Sequence, residues 1–136
     1  MMENHKIIRV RDVMKTKFDW VDGKDTVQSA LLKMEHQDTH ALIVNKRNDD
    51  DEYGIVLLAD IAKKVMAKDR SANRVNIYEI MSKPVICIRA AMDIRYCARL
   101  FDSFGLNIAP VSENGKLVGT VSYNDIVLKG LVKLQD

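Results

Sequence analysis

The feature that most constrains this chain is that it is written twice. Arg11-Asp12-Val13-Met14 is echoed by Tyr78-Glu79-Ile80-Met81, 67 residues further on. At the same offset Val21 meets Ile88, Val27 meets Ile94, Ala30 meets Cys97, Met34 meets Phe101, His40 meets Asn107 and Val44 meets Val111. Past the acidic run Asp49-Asp50-Asp51-Glu52 the offset falls to 65, with Gly54 on Gly119 and Asp60 on Asp125. The two-residue difference lies where a hairpin tip is expected, and length changes there cost little. Such self-similarity means one supersecondary unit used twice. A unit of about 60 residues buries only a marginal core by itself, so the halves are expected to pack together.

Each half reads β-α-β-β-α, an α/β (α+β) class. An extended stretch (18–21; 85–88) precedes a helix whose apolar residues recur at helical spacing: Val27, Ala30, Leu31 and Met34 behind a capping-box-like Asp25 and Gln28, then Ile94, Cys97, Ala98 and Phe101 behind Asp93. Two short strands follow in each half, 41–44 with 54–58 and 108–111 with 117–122. The second pair is joined by Glu113-Asn114-Gly115-Lys116, an Asn-Gly hairpin signal. Closing helices start at Asp60 and Asp125, the latter with Ile126, Val127, Gly130, Leu131 and Leu134 as its apolar stripe. The expected organisation is an N-terminal extension (1–9), a first repeat (10–70), a linker (71–75) and a second repeat (76–136).

Composition removes several function classes. Hydrophobic residues make up 47% and charged residues 29%, as in an ordinary globular chain, and the net charge of +2 leaves no nucleic-acid footprint. No apolar run approaches the roughly 18 residues of a membrane helix, and the charged N-terminus lacks the apolar core of a signal peptide. A cytoplasmic protein without nucleic-acid or membrane partners is expected. The acidic run reads as a solvated loop, and its spacing matches no calcium loop. Cys87 and Cys97 fall on apolar positions and read as buried thiols in a reducing compartment.

The second hairpin ends in Gly119-Thr120-Val121-Ser122-Tyr123-Asn124-Asp125-Ile126. This resembles the signature of cystathionine-β-synthase (CBS) domains: glycine, an apolar residue, Ser or Thr, then aspartate and an apolar residue. Ala109-Pro110-Val111 resembles that family's small-Pro-Val strand. The first half keeps the glycine and aspartate in Gly54-Ile55-Val56-Leu57-Leu58-Ala59-Asp60-Ile61 but places Leu57 where the hydroxyl belongs. The resemblance spans about residues 10 to 133 and implies a tandem domain pair, commonly a homodimer, with clefts that take adenine-containing ligands.

Aspartate suits such a ligand, because two carboxylate oxygens can each accept a hydrogen bond from a ribose hydroxyl. A helix start with outward backbone N–H groups favours phosphate. Asp125 with Ser122, Asn124 and Thr120 is the primary candidate; the same aspartate equally suits a helix cap. Carried over from the family, Lys15, Phe18, Trp20, His40 and Ala41 complete that cleft, with Phe18 and Trp20 as apolar walls for adenine. The mirrored, weaker cleft takes Asp60, Ser82, Val85, Cys87, Asn107 and Ile108. Ala41 and Ile108 stand where some members carry a phosphate-binding base, leaving Lys15 or Lys83 to compensate. His40 has no second ligand at metal spacing, and neither a metal nor a catalytic cofactor is expected. The chain lacks the motifs of P-loop, serine-hydrolase and zinc-protease chemistry. A regulatory module that signals to a partner protein is the leading expectation, and a structural protein-interaction or dimerisation module that has lost ligand binding is the alternative.

Overall fold

The computed structural model describes residues 6–135. Residues 1–5 of the expected N-terminal extension and Asp136, the end of the expected second repeat, lie outside them. Two compact units emerge among the described residues, and they do not follow the repeat: Lys17–Val85 forms one, while residues 6–16 join residues 86–135 in the other. We call these the middle unit and the terminal unit.

Backbone hydrogen bonds explain the exchange. In the terminal unit Val10 N donates to Met92 O, Arg11 N to Ala90 O, and Ile94 N to Ile8 O. The repeat-related bonds in the middle unit run from Ile77 N to Asp25 O, Tyr78 N to Gly23 O, and Val27 N to Val75 O. Each short 3-10 turn, Val10–Asp12 or Ile77–Glu79, is thus bonded to the loop and helix start of the opposite repeat. Lys15 then bridges Thr120 through two 2.9 Å bonds, as Ser82 bridges Ile55 through bonds of 2.9 and 3.0 Å. The sequence boundaries mark repeats; the compact units are displaced from them by the exchanged segments.

The middle unit contains β1 (Asp19–Val21), α1 (Val27–Lys33), β2 (Ala41–Val44), β3 (Gly54–Leu57) and α2 (Leu58–Lys64). Its sheet order is β1-β2-β3, with β1 parallel to β2 and β3 antiparallel to it. Val21, Val27, Ala30, Leu42, Val44, Val56 and Ile61 build its core with Val75, Ile77 and Ile80 from the segment after α2. All four β2 residues are buried, which is why the strand reads Ala-Leu-Ile-Val without polar alternation.

The terminal unit repeats this with β4 (Ile88–Arg89), α3 (Ile94–Phe104), β5 (Ile108–Glu113) and β6 (Lys116–Ser122). Asn114 and Gly115 both take positive φ, 52° and 78°, as a two-residue hairpin turn requires. The chain closes with α4 (Tyr123–Asp125), a π-helical turn (Ile126–Gly130) and α5 (Leu131–Gln135). Phe101 is fully buried and meets Tyr123 edge-on with centroids 5.2 Å apart.

Three expectations change. The cap of α1 is Thr26, whose hydroxyl accepts from Ser29 N; Asp25 sits one residue early and instead accepts from Asp22 N. In the closing helix Ile126 and Gly130 are buried, whereas Val127 and Leu131 face solvent. The π turn and the close approach of Gly130 to Ile94 select that inward face. Cys97 is buried as expected, but Cys87, the residue before β4, is only partly covered.

Candidate functional site

Each unit ends its hairpin in the same strand-to-helix turn. Ser122 is extended (φ −129°, ψ 168°) and caps α4. Its N–H and its hydroxyl both donate to Asp125 Oδ2 at 3.0 Å, and its oxygen accepts from Asp125 N. In the middle unit Leu57 N donates to Asp60 Oδ2 at 3.0 Å. The neighbouring strand start closes each turn through its carbonyl: His40 O accepts from Leu58 N, and Asn107 O from Tyr123 N. His40 adopts φ 57°, a left-handed conformation that ends the preceding 3-10 turn and starts β2.

The two carboxylates differ in occupancy. Asp125 is 3% exposed, and its Oδ1 accepts from Lys15 Nζ with Lys129 Nζ 3.9 Å away. Lys15 is delivered by its backbone bridge to Thr120, which forces Gly119 against it: a Cβ on Gly119 would collide with the Lys15 carbonyl oxygen. Asp60 is partly exposed, and among the described residues no cation pairs with it.

The remaining candidates fall as follows. In the terminal unit the structure gathers Asp125, Ser122, Thr120 and Lys15, with Asn107 and Ile108 alongside through the Ile108–Ser122 pairing; Asn124 is exposed on α4. Cys87 belongs to that unit as well. In the middle unit His40 and Ala41 lie beside the Asp60 turn through the Ala41–Leu57 pairing, and Ser82 holds Ile55. Val85 ends that unit and is partly buried. Phe18 and Trp20 stack with centroids 5.3 Å apart, and Trp20 continues onto Tyr53 at 5.6 Å. Trp20 pairs with Ile43 and lines a recess with Val21 and Asn45, towards the end of the sheet remote from Asp60.

The expectation that the acidic run is a solvated loop fails at Asp51. Its side chain is 7% exposed and binds Arg47 Nε at 3.0 Å and Lys83 Nζ at 2.5 Å, so this member of the acidic run is anchored and not solvated. The Lys83 ammonium, and then the Arg47 guanidinium, hold the Asp51 carboxyl far below the usual carboxylate range. The signal available was Arg47 four residues ahead; Lys83 lies too far away in sequence to be matched to it.

The CBS domain family model matches residues 10–67 and again 77–131, covering both strand-to-helix turns. The chain belongs to the CBS domain family. An uncharacterised protein of Methanopyrus kandleri is 32% identical over 113 residues, 80% of this chain, and the chain spans 57% of that relative's length. A hexameric CBS-CP12 protein from bloom-forming cyanobacteria superposes with a TM-score of 0.87 at 32% identity, covering 93% of this chain and 74% of that one. The CBS domain pair of protein MJ0100, solved with 5′-methylthioadenosine and S-adenosyl-L-methionine, superposes at 0.77 with 21% identity, covering 94% and 99%. This chain is a tandem CBS pair, each repeat contributing one three-stranded sheet.

Proposed function

We propose that this CBS pair is a regulatory module that takes an adenine-containing nucleotide at its strand-to-helix turns and passes occupancy to a partner protein by conformational change. The observation that carries the reading is the recurrence of one carboxylate, Asp60 or Asp125, at the same capping position in both units. The MJ0100 pair, of the same fold, holds two adenosine-containing ligands. That makes adenosine the shared element to test first.

At Asp125 a ribose diol competes with Lys15 for Oδ1. A phosphate on the ligand gives the ammonium a new partner, so this turn selects phosphate-bearing ligands, while Asp60 accepts ribose without displacing a cation. Leu57 offers no hydroxyl to a phosphate there, and burying one against it carries a desolvation cost. Asp125 is therefore assigned the tighter nucleotide event.

Titration calorimetry with AMP, ATP, S-adenosylmethionine and adenosine tests this. Asp125→Ala is expected to weaken AMP binding about tenfold to about 150-fold, the equivalent of one charge-assisted contact, and Asp60→Ala to change it little. Lys15→Met should narrow the preference for AMP over adenosine. Loss of the main event in Asp60→Ala but not in Asp125→Ala reverses the assignment. If no adenine compound binds or raises the melting temperature, the dimerisation reading takes its place.

The same reading assigns no turnover to the bound nucleotide and a cytoplasmic setting. It also assigns a homodimer, formed through the exposed apolar residues Tyr96 and Phe104 of α3 and Leu128 and Val132 of the closing helix. Light scattering should give twice the 15.5 kDa chain mass. Hydrolysis that survives repurification and disappears in Asp125→Ala would overturn the non-catalytic part.

A further inference from the structure

The middle unit carries a concave site at the end of its sheet remote from Asp60. A cavity of about 360 Å³ is lined by Val44, Met81 and Tyr78, with Lys24, Arg47, Lys83 and Asn45 around them. A recess of about 500 Å³ shares Lys24, Asn45 and Arg47 with it and adds Lys33, Lys46 and Trp20. The concavity itself belongs to the repeat, because the terminal unit has one of about 340 Å³ at the related place, lined by Arg11, Arg89 and Ser112 where the middle unit has Tyr78, Asp22 and Asn45. There Arg11 is neutralised by Glu113 at 3.2 Å, and no aromatic residue lines the space. The aromatic lining is specific to the middle unit, where it stands beside five cationic residues against two, Arg11 and Arg89, in the terminal recess.

Five cationic side chains line the joined recesses, against Asp22, Asp25 and the Asp51 that ties Arg47 and Lys83. Asp22 and Asp25 are turned into their own loop, accepting from Lys24 N and Asp22 N. Among the described residues Lys24, Lys33 and Lys46 pair with no carboxylate. Arg47 spends its Nε on Asp51, and a guanidinium has terminal amino groups beyond that one donor. Tyr78 is 56% and Trp20 43% exposed, so each keeps ring surface for a ligand. A cavity of a few hundred Å³ with an apolar lining and a few convergent polar groups has the make-up of a small-molecule site.

We propose that this recess binds a small aromatic phosphate, its ring against Tyr78 or Trp20 and its phosphate between Lys24 and Arg47. The charge selects a dianion, and the exposed rings select an aryl group over inorganic phosphate.

Phenyl phosphate is the probe, titrated at low salt so that surface charges are not screened. The readouts are fluorescence of the chain's single tryptophan, Trp20, and amide shifts of Gly23, Lys24 and Asn45. Saturable binding in the millimolar range is expected, with phenol and inorganic phosphate each weaker. Lys24→Glu should weaken it about tenfold, the scale of one charge-assisted hydrogen bond, and Tyr78→Ala severalfold; both side chains are exposed, so the fold tolerates the changes. Asp60→Ala and Asp125→Ala should leave it unchanged. The proposal fails if phenyl phosphate does not saturate, if Lys24→Glu binds like the wild type, or if either aspartate variant abolishes the signal.

Discussion

Replacing Asp125 by alanine should destabilise the protein far more than the same change at Asp60, although the two occupy the same place in the repeat. Asp125→Ala removes the acceptor for Ser122 N, a cap worth about 1 kcal/mol. It also removes the Lys15 pair, a charge-assisted bond worth about 1.5–3 kcal/mol. Stranding a buried charge can cost about 3–5 kcal/mol, but Lys15 is 21% exposed and can turn to solvent, which keeps the sum near 3 kcal/mol. Asp60→Ala loses one cap bond and no ion pair, about 1 kcal/mol. For a chain of this size the melting temperatures should fall by about 10 °C and about 3 °C respectively. Urea unfolding of both variants, with Lys15→Met and the Lys15→Met/Asp125→Ala double variant, closes a cycle whose coupling should reach about 1 kcal/mol or more. Equal losses at the two aspartates, or no coupling with Lys15, would refute the argument that Asp125 is structurally committed.

Gly119→Ala should cost about 2 kcal/mol or more by driving Lys15 off β6, whereas Gly105→Ala, with open space but φ 65°, should cost about 1 kcal/mol; thermal melts of both variants separate collision from strain. Burial pushes the Cys97 thiol up to about 11 from 9.0. Its contribution to stability is therefore whole below pH 9 and lost as pH rises towards 11, which Cys97→Ala should flatten in unfolding curves measured across that range. For Asp51 the sign is opposite: its carboxyl is depressed by Lys83 and Arg47, so the stabilisation present above its ordinary value of 3.8 is lost as pH falls. Lys83→Met should reduce that acid-side slope, leaving the part that Arg47 supplies.

The sequence alone determined the twofold repeat, the β-α-β-β-α order, the Asn114-Gly115 hairpin and the two aspartates, because each is a local pattern or a fixed offset. Periodicity places a residue on a face, and a turn type needs only its own residues. Three matters were decided by the tertiary structure. The exchange of the segments before each first strand depends on backbone bonds such as Lys15 to Thr120 and Ser82 to Ile55, which backbone atoms of any sequence can form. The inequality of Asp60 and Asp125 depends on Lys15, 110 residues from Asp125, reaching one carboxylate while no cation pairs with the other among the described residues. The anchoring of Asp51 depends likewise on Lys83, brought beside it by the segment that follows α2. Ion pairs act through space over a few ångströms whatever the separation in the chain, so a sequence can name the charges while only the fold pairs them.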